Sequence, residues 1–186
     1  MEQITLRTDR LILKTLSPKD YGLVTKYYLE NREFLKPWEP LRSEGFFSEA
    51  FQHKSLELDD YAMDRGEMYR FWIFNLEDEL IGTVAITNII RGVLKSAFLG
   101  YKLSEKHARK GYGLEAVNHV IKFSFDVLEL HRLEANIIPR NIASLRLIFA
   151  AGFEYEGCSK AYLKINGRWE DHNRYALINK SYKDIE

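Results

Sequence analysis

The chain has 186 residues, of which 46% are apolar, 29% charged and 13% aromatic; that is enough for one packed domain burying about 70% of its unfolded surface, and it excludes a disordered chain. Twenty-seven Lys and Arg balance 27 Asp and Glu, so no bulk charge draws the protein to nucleic acid or to an acidic membrane. Its single cysteine, Cys158, excludes an internal disulfide, and neither it nor the five histidines stand at a metal-ligand spacing, so a reduced, metal-free, cytoplasmic protein is expected.

The N-terminal stretch "MEQITLRTDRLILKTL" mixes acid and base into an alternating pattern, unlike a signal peptide, and no later run reaches the ~18 apolar residues of a membrane span. "RLILKTL" (10–16) reads as a strand. Ser17 followed by Pro18 reads as an N-cap with proline at the first helical position, which predicts a helix over about 18–30. A second short helix over 32–36 should end at the prolines of "KPWEP" (36–40), leaving a rigid aromatic loop. Over 46–65, Phe47, Ala50, Phe51, Leu58, Tyr61 and Ala62 recur at roughly helical spacing, and Gly66 is placed to stop that helix.

Strand signals follow. "YRFWIFNL" (69–76), "LIGTVAITNII" (80–90) and "LKSAFLGYKL" (94–103), parted by turns at 77–79 and 91–92, predict an antiparallel meander. A helix over about 111–128 carries Leu114, Val117, Ile121 and Leu128 on one stripe and leads into the strand "RLEANIIP" (132–139). "NIASLRLIFAAG" (141–152) predicts a short helix capped by Asn141 and stopped by Gly152, and "GFEYEG" begins another strand. "AYLKI" and "RWEDHNRYALI" form a hairpin around Asn166-Gly167. Without repeats or linkers, this order predicts one α/β domain over 1–186, a mixed and mainly antiparallel sheet with helices packed on it.

The segment "HARKGYGLEAV" (107–117) sets two cations and two glycines at the entrance to an amphipathic helix. Unpaired helix N–H groups and the helix dipole favour an anion there, and glycines let it reach the backbone, so the stretch suits a diphosphate. A glycine-rich turn with two solvated cations fits the same letters. The third glycine of a dinucleotide fingerprint is missing, as are the lysine and hydroxyl of a P-loop.

Strand, basic G-x-G turn, helix, strand and then "PRNIASLRLIFAAGFEYEG" together resemble the Gcn5-related N-acetyltransferases. Within them, "ENREFLKPWEP" (30–40), "LGYKLSEKHARKGYG" (99–113), "NIASLRLIFAAGFEYEG" (141–157) and "AYLKINGRWEDH" (161–172) are similar to the RimJ/RimL ribosomal-protein-alanine N-acetyltransferases, the RimJ branch above all. The resemblance spans nearly the whole chain. It implies a GNAT fold, with a mainly antiparallel sheet of about six or seven strands splayed at a central bulge. It also implies acetyl-CoA as co-substrate, no metal, and a polypeptide N-terminus as partner, on a ribosomal protein or the ribosome. Carried over, the diphosphate loop falls on Ala108, Arg109, Lys110, Gly111, Tyr112 and Gly113, with Ala108 standing where many relatives have Gln or Arg. Tyr101, Lys102 and Leu103 end the strand that splays to pair its backbone with the pantetheine arm, and Gly100 suits the bulge. Asn141 would touch the pantetheine side and Ser144 the thioester sulfur; as an N-cap, Asn141 needs no such chemistry.

Direct attack on the thioester requires a neutral amine. An α-amine of pKa ~7.7–8.0 is partly neutral near pH 7, whereas a lysine at ~10.4 requires a stronger base. By the resemblance Glu134 is the first candidate base, with a structural strand carboxylate as the alternative reading. Glu39 is the second, an exposed carboxylate on the braced loop that would hold the ammonium. Ile148 stands where such relatives carry a tyrosine, which moves the donation to the departing thiolate onto Ser144. Phe34, Trp38, Glu39 and Trp169 would wall the acceptor groove. Cys158 has no neighbouring histidine to activate it. The competing readings are a small-molecule amine or antibiotic acetyltransferase of the same fold, and a non-enzymatic acyl-CoA-binding or ribosome-assembly module.

Overall fold

Side chains of a strand alternate between faces, and here both faces of the central strands are covered by helices, so these segments read as nearly unbroken apolar runs. In the computed structural model, which describes residues 3–182, the strands are β1 (Thr5–Arg7), β2 (Leu11–Lys14), β3 (Tyr69–Asn75), β4 (Leu80–Ile90), β5 (Ser96–Leu103), β6 (Arg132–Ile137), β7 (Glu154–Ile165) and β8 (Arg168–Ile178). They form one sheet in the order β1-β2-β3-β4-β5-β6-β8-β7. Among the described residues only the β5–β6 pairing is parallel. The strand beyond the expected six or seven is β1, three residues that pair Thr5 with Lys14 at the sheet edge.

Helices α1 (Tyr21–Glu30), α2 (Arg32–Leu35) and α3 (Glu49–Asp64) cover one face and α4 (Tyr112–Asp126) and α5 (Ile142–Ala150) the other. Trp72 and Phe74 of β3 join Val24, Tyr27 and Tyr28 of α1 and Leu56 of α3. Phe71 and Ile73 of the same strand join Ala116, Val117 and Val120 of α4. Among the described residues no helix is long and apolar enough to cross a membrane.

Local signals fix several ends. Before α1 the chain makes one 3-10 turn, Pro18–Asp20, and the Ser17 N–H and hydroxyl both donate to Asp20 Oδ2, at 2.8 and 2.9 Å. Gly152, at φ +86°, follows α5. Asn166 and Gly167 are both at positive φ between β7 and β8, as a tight hairpin turn requires.

Two expectations are corrected. The inward face of α3 is not the apolar stripe: Phe51, Leu58 and Tyr61 are exposed, and Gln52, Leu56, Asp59 and Met63 are buried. Partners elsewhere in the chain make this possible, because Gln52 Nε2 donates to the Phe46 carbonyl at 2.5 Å and Asp59 pairs with Arg70 at 2.7 Å. The bulge is not at Gly100, which sits in regular register opposite Ala85. Register shifts fall elsewhere: between Thr87 and Ile90 of β4, where Asn88 takes φ +51°, between Ile73 and Phe74 of β3, and twice in β7.

Candidate active site

Strands β5 and β6 share only three rungs, Ser96 with Arg132, Ala97 with Leu133 and Phe98 with Glu134, and then part. From Leu99 to Leu103, β5 stays paired to β4 on one side and offers its other edge to a gap. An extended ligand can take up that row of N–H and C=O groups as another strand would. Tyr101, Lys102 and Leu103 lie on this edge, as the sequence indicates.

The edge runs straight into the turn over 104–111 that leads to α4. Ser104 N–H donates to Ile81 O at 2.8 Å, and the Ser104 hydroxyl meets His107 Nδ1 at 2.9 Å, anchoring the turn on the sheet. After Ala108 the backbone takes left-handed conformations at Arg109 (φ +60°) and Gly111 (φ +84°), which rotate it into α4. The N–H groups of Tyr112, Gly113 and Leu114, in the first turn of α4, have no intrahelical acceptor and stand at the positive end of the dipole. A Cβ on Gly113 would come within 2.8 Å of Leu147 Cδ1 and 3.1 Å of Leu103 Cδ1, so glycine lets α4 seat against β5 and α5. Among the described residues no carboxylate pairs with the exposed Arg109 and Lys110. Bare amides, a close-packed glycine and two uncompensated cations suit a diphosphate.

A brace on this loop is absent from the sequence reading. Arg10 Nε donates to Glu115 Oε2 at 2.7 Å and Nη1 to the Lys110 carbonyl at 3.2 Å, with the guanidinium 4.8 Å from the Tyr112 ring centre. Thr8 Oγ1 donates to Glu115 Oε1 at 2.5 Å. Burial raises the Glu115 pKa, but the hydrogen bonds from Thr8 and Arg10 outweigh it and hold the carboxyl below its usual range. Residues a hundred positions apart make this clasp, and no local motif announces it.

Across the gap, Asn141 caps α5 by accepting the Ser144 N–H at 3.2 Å, and the Tyr101 hydroxyl donates to the Ser144 carbonyl at 3.0 Å. Burial pushes the Tyr101 phenol up to about 12, against the hydrogen bond to Ser144, so it stays a donor at neutral pH. The cap leaves the Ser144 side chain unused: both contacts hold its backbone, and its hydroxyl has no partner among the described residues. Ile148, one turn further along α5, is fully buried in the core.

On the α1 face the two candidate carboxylates are both neutralised by cations. Glu134 stands on the last closed rung and accepts from Arg132 Nε at 2.9 Å and Arg174 Nη2 at 3.2 Å. Glu39 is not the exposed loop charge of the sequence reading; it is 9% exposed and pairs with Lys102 Nζ and, at 3.4 Å, with Arg42 Nε. Burial pushes its pKa up, yet Lys102 and Arg42 together hold it below its usual range. Its carbonyl accepts the Asn166 N–H at 2.8 Å, which fastens the 36–40 loop to the β7–β8 turn. Phe34 packs against the α1–α3 core. Trp38 lies beneath the Arg140 guanidinium at 4.8 Å, and Arg140 Nη2 donates to Pro37 O at 3.0 Å and Glu170 Oε1 at 2.9 Å. Trp169, 65% exposed, sits near the hairpin tip opposite Lys164. Among the described residues no group of three His, Cys, Asp or Glu side chains is placed to hold a metal ion.

Known proteins resemble this chain in sequence and fold. The profile of the acetyltransferase (GNAT) domain matches residues 10–154. The chain is 35% identical over 181 residues to the [ribosomal protein uS5]-alanine N-acetyltransferase of Escherichia coli, covering 97% of this chain and 93% of that one. A solved structure of the ribosomal-protein-S5-alanine acetyltransferase of Vibrio fischeri superposes with TM-score 0.92 at 33% identity, covering 97% of this chain and all of that one. Mycobacterium smegmatis RimJ in complex with CoA-disulfide superposes with TM-score 0.89 at 25% identity, covering 98% and 89%.

Proposed function

The chain belongs to the GNAT acetyltransferase family, and on that premise we propose that it acetylates the N-terminal α-amine of a ribosomal protein, by direct attack of the amine on the thioester of acetyl-CoA. Acetyl transfer from acetyl-CoA is the activity of the family; the acceptor and the residue roles are our reading. The carrying observation is the full-length likeness to the uS5-alanine enzyme of Escherichia coli.

The chemistry of the site supports an α-amine. Glu134 and Glu39 are both bound to cations, so neither candidate carboxylate stands ready to strip a lysine ammonium. An α-amine, partly neutral near pH 7, makes the smaller demand. Amides of Tyr112, Gly113 and Leu114, with Arg109 and Lys110, hold the diphosphate, while the open edge of β5 holds the pantetheine arm and orients the carbonyl. The Ser144 hydroxyl donates to the departing sulfur; Tyr101 and Asn141 only position it. Trp38 and the 36–40 loop bound the acceptor groove.

A peptide panel tests the acceptor. Peptides beginning with Ala or Ser, the same peptides blocked at the α-amine but bearing an internal lysine, and free polyamines are incubated with acetyl-CoA and read by mass spectrometry. Acetylation at the free α-amine alone is expected; turnover of polyamines without the peptides contradicts the reading.

A further inference from the structure

With Glu134 and Glu39 both bound to cations, the proton leaving an incoming ammonium needs another destination. We propose that His172 is that base and that Asn136 Oδ1 receives the same amine beside it, a proposal that rests on the amine-acetyltransferase reading above.

In the β6–β8 ladder Asn136 is the direct partner of Arg174, and His172 stands two residues before Arg174. The two are therefore same-face diagonal neighbours, with Cα atoms about 7–8 Å apart. Alternation along β6 sends Leu133, Ala135 and Ile137 into the α4-side core and leaves Asn136 on the opposite, acceptor face. Asn136 also lies past the last β5–β6 rung, at Glu134, and so borders the gap.

Both residues carry an unfilled acceptor. Asn136 Oδ1 is buried with no hydrogen-bond partner, which a folded protein seldom tolerates without a purpose. His172 is 2% exposed, and its Nδ1 lies 3.0 Å from the Glu170 carbonyl. A carbonyl only accepts, so Nδ1 carries the hydrogen and the neutral ring keeps its lone pair at Nε2. Among the described residues Nε2 has no partner. The carboxylate of Glu170 is held by Arg140, which also grips Pro37 O, so the frame that sets the ring is tied to the loop bounding the acceptor groove. Two acceptors without donors on one face are the complement of a primary ammonium, which has three N–H donors and no acceptor.

The ammonium gives one proton to His172 Nε2; the freed nitrogen lone pair bonds the thioester carbonyl carbon; the carbon–sulfur bond breaks, and sulfur leaves with its electron pair. The second amine proton ends on that sulfur, with Ser144 as donor, and His172 later returns its proton to water.

The test uses the whole chain, acetyl-CoA and an Ala-initiated peptide. His172→Gln should lower kcat about 10²–10⁴-fold with acetyl-CoA affinity and Tm near wild type, and imidazole should restore part of the rate of His172→Ala. Asn136→Ala should raise the peptide KM, and Asn136→Asp should bring it back. In wild type labelled with 15N in its histidine rings and loaded with CoA, adding the peptide should move the His172 Nε2 resonance; this arm decides the matter if the variants do not fold. A His172→Gln kcat within twofold of wild type, or a still resonance with peptide bound, overturns the inference alone. A wild-type chain that binds acetyl-CoA yet acetylates no amine overturns the acetyltransferase reading itself.

Discussion

The Tyr101 hydroxyl reaches from the open edge of β5 to the Ser144 carbonyl, 3.0 Å away, so the strand that would hold the thioester and the helix that would meet its sulfur are joined by one hydrogen bond. Asn141 fixes the same residue through its N–H at 3.2 Å. Tyr101→Phe should cost about 0.5–1.5 kcal/mol of stability and lower kcat more than it raises the acetyl-CoA KM, because position rather than affinity is lost. Steady-state kinetics and urea melts on purified variants read both effects; equal kcat in a folded Tyr101→Phe contradicts the role.

Gly113→Ala should act on the cofactor end. Its Cβ would sit 2.8 Å from Leu147 Cδ1 and 3.1 Å from Leu103 Cδ1, so those two leucine tips must turn aside and the seat of α4 on β5 and α5 loosens beside its first-turn amides. Titration calorimetry should show weaker acetyl-CoA binding, with a stability loss on the order of 1–3 kcal/mol from overpacking. Unchanged affinity would mean that these amides do not meet the ligand.

Lys102→Met should leave Glu39 as a buried carboxylate with only the 3.4 Å contact from Arg42. Breaking a buried pair from one side costs about 3–5 kcal/mol. The double variant Lys102→Met, Glu39→Gln should recover much of that loss in denaturant melts; additive losses contradict a direct pair.

Much of the fold is written in local chemistry. Asn141 at the head of α5 and Asn166-Gly167 at the hairpin each act within a few residues and do in the structure what their types dictate; Ser17 with Pro18 opens a 3-10 turn instead of the helix itself, its hydroxyl donating to Asp20 rather than accepting a backbone N–H. The α3 face departs from its local pattern for the opposite reason: Asp59 is buried because Arg70, on a strand that local sequence does not place beside it, compensates its charge. Glu39 reads as a solvated loop residue until Lys102, 63 positions away, is folded beside it. The Arg10–Glu115 clasp and the Asn136–His172 diagonal likewise exist only once the sheet order is known. Sequence shows which residues cap and turn; it does not show which distant charge a buried polar group will meet.

His107 gives a pH prediction. Its burial in the turn before α4, aided by Lys110 and Lys106, outweighs the opposing pull of Glu79 and Glu77 and holds the imidazole below its ordinary value. The unfolded chain therefore binds this proton at higher pH than the folded one. The stability it contributes is present above the unfolded value of about 6.5 and is lost as pH falls below that toward the folded value. Tm should decline as pH falls below about 6.5, and His107→Gln should flatten that part of the curve; an unaltered slope places the proton uptake elsewhere.

A crystal of the chain grown with acetyl-CoA tests the central claim most directly. The expected result is the diphosphate on the backbone N–H groups of Tyr112, Gly113 and Leu114, with the pantetheine arm along Leu99 to Leu103 and the sulfur facing the Ser144 hydroxyl. A diphosphate bound away from those amides, or a β5 edge still bare beside a bound nucleotide, would contradict it.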